Sequence, residues 1–341
     1  MRAAVALDGT LRVERVDDPV PVAGQLLLAT KVNGICGSDL RAIEKATQPV
    51  IPGHELCAEV LDHGPGTDRA ARLRWPIGSL VCANPFTGNG LELVGTTAEL
   101  PGGLAEQVVL HASQLLAVPD GVAPAHAALA EPLAVGVRAV DAALTARAVG
   151  PFVVIGCGPI GLATIVALRA CGLGPIVASD RSAVRRDLAE RLGADVVVSP
   201  DGDSPFNHLA ELGFTESAPS PLLSRGSRPP AGVTVFECVG APGLIQELIT
   251  AAPQHSRIIV VGICLQPDTF IPARAVVREV ALDFVFAYRP ADLEESLRRI
   301  STGVVDVKPF VTADVGLDEA PWAVAALARG DHGKILVRPD R

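Results

Sequence analysis

Hydrophobic positions fall into two regimes along this chain. Over the first ~130 residues, short apolar runs such as Leu11 to Val16, Leu26 to Val32 and Leu80 to Ala83 are broken by glycine and proline, the punctuation of a small β barrel or sandwich. From about Leu133 the pattern changes to apolar strands alternating with helices. Pro132 to Val149 reads as a helix with proline in its first turn. It is followed by strand Phe152–Ile155, helix Ile160–Ala170, strand Ile176–Ser179, helix Ala183–Leu192 and strand Val196–Val198. Strands resume at Val233–Phe236, Ile258–Val261 and Leu282–Phe286. Such alternation predicts a parallel sheet with right-handed crossovers, an α/β doubly wound architecture beside a β-rich domain. Helices follow near Ala291–Ser301 and Glu319–Ala328, with a terminal strand at Ile335–Val337. Between Ser199 and Gly232 the periodicity fades. Ser217 to Pro221 and Gly226 to Pro230 read there as an irregular loop on the sheet rim.

A length of 341 residues favours two domains, and 49% hydrophobic residues suffice for two cores. The longest apolar runs are strand-sized, far short of a membrane span, and the N-terminus lacks a signal-peptide core. A net charge of −9 opposes nucleic-acid binding, which needs clustered basic surface. The seven cysteines are scattered and form no Cys-x-x-Cys pair, which suits reduced thiols in a cytoplasmic protein.

Strand Val153-Val154-Ile155 runs into Gly156-Cys157-Gly158-Pro159-Ile160-Gly161 and then a helix. This is a Gly-x-Gly-x-x-Gly turn whose glycines permit the bend, the approach of a pyrophosphate and close helix packing. The helix N-terminus offers free N–H groups to phosphate. Asp180 closes the next strand 19 residues after Gly161, where an acid accepts the ribose hydroxyls and repels a 2′-phosphate. NAD is therefore expected over NADP. Arg181 is placed to lie over the adenine or to aid a phosphate weakly.

A second constellation lies upstream. Cys36, in Gly34-Ile35-Cys36-Gly37-Ser38-Asp39-Leu40, is followed 18 residues later by His54 in Gly53-His54-Glu55. Thiolate, imidazole and carboxylate are zinc ligands, and catalytic zinc takes about three protein ligands with one open position. The third ligand is Glu131 or Glu55.

These segments, with Gly102-Gly103-Leu104-Ala105-Glu106, Glu131-Pro132-Leu133, Phe236-Glu237-Cys238-Val239-Gly240, Ile259-Val260-Val261-Gly262 and Gly333-Lys334-Ile335-Leu336, occur in order along the chain. Together they resemble the zinc-containing medium-chain dehydrogenase/reductase family, on the branch of sorbitol, butanediol and other polyol or secondary-alcohol dehydrogenases. The resemblance spans essentially the whole chain. It implies a GroES-like catalytic domain from residues 1–145 and 287–341, and a Rossmann NAD-binding domain from 146–286. It implies Cys36 and His54 as zinc ligands, with Glu55 and Glu131 sharing the remaining role. Asp39 would fix the His54 tautomer, and Ser38 would take the proton from the alcohol. Lys334 would meet the cofactor pyrophosphate, and Val261, Val285 and Phe286 the nicotinamide carboxamide. A homodimer or homotetramer formed through the cofactor domain is also implied.

Two departures from the family pattern matter. The stretch from Cys82 to Gly103 holds only Cys82 where many relatives carry four cysteines, so no structural zinc is expected. Arg41 stands where relatives commonly have a proton-relaying histidine, and arginine cannot act as a base near neutral pH. The expected activity is reversible oxidation of a secondary alcohol or polyol by NAD. Its rivals are a zinc-free NADPH quinone or enoyl reductase of the same superfamily and a non-catalytic dinucleotide-binding module. The pocket loops, between Arg41 and Pro52 and between Pro85 and Leu100, do not disclose the substrate.

Overall fold

The computed structural model describes residues 1–87, 92–215, 232–330 and 332–341. The expected loop segments Ser217 to Pro221 and Gly226 to Pro230 lie outside the described residues. The chain divides into two compact units, one of Met1–Pro132 with Leu293–Arg341, the other of Leu133–Asp292.

Among the described residues, the Leu133–Asp292 unit is built on six parallel strands in the order Val196–Val198, Ile176–Ser179, Phe152–Ile155, Thr234–Glu237, Arg257–Val260 and Ala281–Phe284. The strands are almost wholly apolar because helices cover both faces, so no polar alternation survives. Val153, Val177, Val235, Ile258 and Val260 form the core with Leu248 and Ile249 of helix Leu244–Ala251. From Phe152–Ile155 the chain adds strands first on one side, then on the other. The order therefore reverses at this strand, and ligands of such sheets bind at that point, beyond the strands' carboxyl ends. Helix Pro159–Ala170 leaves from the same place, with residues Gly161 to Leu168 all buried.

The described residues of the other unit hold a seven-stranded sheet. Its main path runs Val311–Gly316, Lys334–Arg338, Gln25–Gly34, Glu55–His63, Leu80–Ala83 and Leu115–Ala117, and Gln107–His111 also pairs with Gln25–Gly34. All pairs are antiparallel except Val311–Gly316 with Lys334–Arg338. Leu26, Leu28, Leu56, Val60, Val81 and Val108 fill one core on this sheet. The last strand of the chain is thus an interior strand of a sheet begun by the first hundred residues. Hairpin Arg2–Leu7 with Thr10–Arg15 and helices Gly37–Lys45 and Ala320–Arg329 belong to the same unit. No helix among the described residues is long and apolar enough to cross a membrane.

Candidate metal centre and cofactor loop

Three sheet registers assemble the polar cluster. Gly34, the last residue of its strand, lies opposite Glu55 on one side and Leu336 on the other. Two residues further on, Cys36 caps helix Gly37–Lys45 with an extended backbone. His54 immediately precedes strand Glu55–His63. Cys36, His54 and Glu55 therefore meet although they come from different segments. One ligand atom from each lies within 4.8 Å of the others, the one such group of three among the described residues. His54 and Glu55 are buried, and Cys36 is partly open.

Asp39, itself fully buried, ties the two segments together. Its Oδ2 accepts the N–H of Cys36 at 2.8 Å and its Oδ1 the N–H of Gly53 at 3.0 Å. Oδ1 also lies 3.2 Å from Nδ1 of His54, off the line that a formed hydrogen bond needs. The other imidazole nitrogen, Nε2, is 3.2 Å from Ser38 Oγ. Burial works against a charged His54, but the nearby Asp39 carboxylate, with Cys36 adding to it, leaves its pKa well above the ordinary value. Gly103 N–H to Gly53 O and Leu104 N–H to Pro52 O, at 2.8 and 2.9 Å, brace the turn that carries His54. This is the structural work of the Gly102-Gly103-Leu104 motif.

A partly open sulfur gathered with a buried imidazole nitrogen and a buried carboxylate oxygen suits zinc, and a carboxylate beside the imidazole is the usual partner of a metal-binding histidine. Glu131 is buried in the first turn of helix Ala130–Thr145 but falls outside the group of three. Arg41 is half-buried on the helix that follows Cys36. The expectation for Lys334 needs correcting. Its side chain is fully buried, and Nζ donates to Ile35 O at 3.0 Å and to both Glu55 oxygens at 2.6 and 2.7 Å. An ammonium has three donors, all used here, and no exposed face remains for a pyrophosphate. Burial pulls the Lys334 pKa down, yet Glu55, Cys36 and Glu131 outweigh it and leave the pKa raised.

In the other unit, Gly156 takes a φ of +89° and Gly158 caps helix Pro159–Ala170. Gly161 is obligatory, since a Cβ there would lie 1.8 Å from Gly156 O. Asp180 accepts Cys157 N–H at 2.7 Å and Ser182 N–H at 2.8 Å, so it shapes the loop as well as closing its strand. Arg181 is exposed, with Nε 3.6 Å from Asp201. A residue that the sequence reading passed over stands nearer. Arg185 brings Nη1 to 4.0 Å from where a Gly158 Cβ would be, and its buried Nε has no hydrogen-bond partner among the described residues. The available signal was its place in the first turn of the helix capped by Ser182. Val261, Val285 and Phe286 line one cavity of about 420 Å³ together with Glu237, Gly240 and Gly262.

A fold with a dinucleotide loop in one unit and a thiol–imidazole–carboxylate cluster in the other defines a class of metal-assisted oxidoreductases. Comparison with known proteins agrees. Residues 22–120 match the alcohol dehydrogenase GroES-like domain, and residues 159–302 match the zinc-binding dehydrogenase domain. The chain is 29% identical to sorbitol dehydrogenase of Gallus gallus over 97% of its own length and 94% of the relative's. A solved structure of 2R,3R-butanediol dehydrogenase from Bacillus subtilis superposes with a TM-score of 0.81 at 27% identity, covering 99% of both chains. Another, a protein of Sinorhizobium meliloti 1021 described as a zinc-binding dehydrogenase and bound to NADP, gives 0.81 at 25% identity and covers 99% of both. The chain belongs to the zinc-containing medium-chain dehydrogenase/reductase family of alcohol and polyol dehydrogenases.

The two backbone donors on Asp39 generate a test. Asparagine offers one oxygen where both carboxylate oxygens are used, so Asp39→Asn leaves one buried N–H facing an amide donor. Urea unfolding should show a loss of about 1–3 kcal/mol. Unchanged stability would mean that Asp39 does not tie the segments together.

Proposed function

We propose that the protein reversibly oxidises a secondary alcohol or polyol, passing hydride to NAD, at a single catalytic zinc. The observation that carries this reading is the cluster of Cys36, His54 and Glu55 in a chain of this family. Cys36 and His54 would hold the metal through Sγ and Nε2, with Glu55 or Glu131 completing the protein ligands. When bound, zinc supplies a Lewis acid that lowers the pKa of an alcohol hydroxyl towards neutrality. The chain's own groups do the rest. Asp39 orients the His54 ring and holds the Cys36 and Gly53 backbone. Ser38 Oγ, beside His54 Nε2, takes the alcohol proton outward. Arg41 cannot accept that proton, so its exit must run by a path that does not use Arg41.

A zinc-free quinone or enoyl reductase has no use for these ligands, and a non-catalytic dinucleotide-binding module has no need of a buried donor set. With one cysteine between Cys82 and Gly103, one zinc per chain is expected and no structural zinc. The scattered free cysteines favour a reducing, cytoplasmic setting.

For the cofactor, Asp180 accepts one backbone N–H on each oxygen and keeps lone pairs for ribose hydroxyls. Its charge opposes a 2′-phosphate, which favours NAD. Arg185 beside Gly158 supplies positive charge to the pyrophosphate side of the loop. Arg181, exposed beside Asp201, would lie over the adenine, and Val261, Val285 and Phe286 would frame the nicotinamide end. Assembly would be a homodimer or homotetramer through this unit. Strand Ala281–Phe284 is the edge of its sheet among the described residues, and Phe284 on it is exposed at 70%, with Val276 and Val277 of the preceding helix Pro272–Arg278 exposed at 72% and 78%. Exposed apolar side chains beside a sheet edge favour pairing with another copy.

Three measurements test these proposals. Chelation of zinc, or Cys36→Ala, should abolish alcohol-dependent NADH formation across a panel of diols, sugar alcohols and aryl carbinols while NAD still binds. Full activity without zinc would refute the mechanism. Asp180→Gly should narrow or reverse the ratio of NAD to NADP efficiency, and an unchanged ratio would show that Asp180 does not read the ribose. Sedimentation of the protein should give two or four subunits, against which a single-subunit mass would count.

A further inference from the structure

Lys334 is the least expected member of the cluster. A fully buried ammonium is tolerated only where charge and hydrogen bonds compensate its lost hydration. Here the compensation is complete. Both Glu55 oxygens and the Ile35 carbonyl take its three donors at 2.6, 2.7 and 3.0 Å. The backbone is arranged around this contact. Strand Lys334–Arg338 and strand Glu55–His63 flank the same strand, Gln25–Gly34, and the Glu55 carboxylate must cross Gly34 to reach the ammonium. A Cβ on Gly34 would lie 2.2 Å from Glu55 Oε2, so glycine is what leaves the passage open. The carboxylate thus held belongs to the group formed with Cys36 and His54.

Resting on the zinc reading above, we infer that Lys334 is a positioning residue of the metal centre and not a contact of the cofactor. Its ammonium is the counter-charge that keeps Glu55 beside Cys36 and His54 when no metal is there. Each carboxylate oxygen has two lone pairs, so a contact to Nζ leaves capacity for a cation. Metal and ammonium share one carboxylate. Without Lys334 the buried Glu55 carboxylate loses its ammonium partner and depends more heavily on the metal, since a poorly compensated buried charge strongly destabilises a fold.

The test compares the whole protein with Lys334→Met and Lys334→Arg, using zinc and cobalt(II) as probes. Loading with zinc should raise the melting temperature of Lys334→Met by about 5 °C more than it raises that of the unaltered protein. The cobalt(II) d–d spectrum should change in Lys334→Met, while Lys334→Arg should follow the unaltered protein in both readouts. NAD affinity should stay within about twofold in Lys334→Met, whereas loss of a pyrophosphate contact would weaken it by about tenfold. Should Lys334→Met not fold, Lys334→Met combined with Glu55→Gln carries the argument. The double variant should then have the cobalt spectrum of Glu55→Gln alone, because Lys334 acts through Glu55. An unaltered zinc shift and cobalt spectrum in Lys334→Met would overturn the inference and leave the zinc reading standing. So would weakened NAD binding with both metal readouts intact. Failure of the unaltered protein to take up either metal would overturn the zinc reading itself, and this inference with it.

Discussion

The buried ion pair between Lys334 and Glu55 joins residues 279 apart in the sequence and lies under the polar cluster. Removing one partner of such a pair typically costs about 3–5 kcal/mol, because the other is left as an uncompensated buried charge. Much of the unit depends on it. The pair needs the final strand of the chain to insert between Val311–Gly316 and Gln25–Gly34. It needs Gly34 to lack a side chain, and it needs Glu55 in register with Gly34. Once these hold, Cys36 and His54 follow from their places one helix cap and one strand end away.

Asp39 supplies the second constraint in the same unit. It sits in the first turn of a helix, where a carboxylate is favoured, and spends that position on Cys36 and Gly53 rather than on helix capping alone. The cluster is therefore held from two sides, by an anion behind the imidazole and a cation behind the carboxylate. Such supports fix ligand direction before a metal arrives and limit the rearrangement that binding requires.

The cofactor unit obeys a more local logic, and it was correspondingly more legible. Its six strands lie within a residue or two of their expected positions, because each is a short, continuous apolar run ended by glycine, proline or a polar residue. Gly156, Gly158, Gly161 and Asp180 stand where the motif put them, since the loop is made by neighbours in sequence. The β-rich unit was readable as a class but not as a sheet. Nothing in Ile335–Val337 says that it pairs with Gln25–Gly34, for strand pairing over three hundred residues leaves no local periodicity.

Side-chain chemistry divides along the same line. Cys36, His54 and Glu55 were recognisable as donors from their types and spacing, and the fold brings those three together. Glu131 carries an equally suitable carboxylate, yet its helix leaves it outside that group. The family resemblance implied a phosphate contact for Lys334, because the family places a basic residue on the pyrophosphate at this position. Its burial against Glu55 is a property of two strands meeting on a third. Arg185 outranks Arg181 beside the glycine loop because helix geometry aims it there, while Arg181 lies exposed near Asp201. By itself the sequence determined the periodic elements, the dinucleotide loop and the identity of the donor residues, all carried by short-range pattern. Only the tertiary structure decided which carboxylate joins the thiol and imidazole and which cation sits behind it. Those choices depend on long-range strand register and on how buried charges are paired.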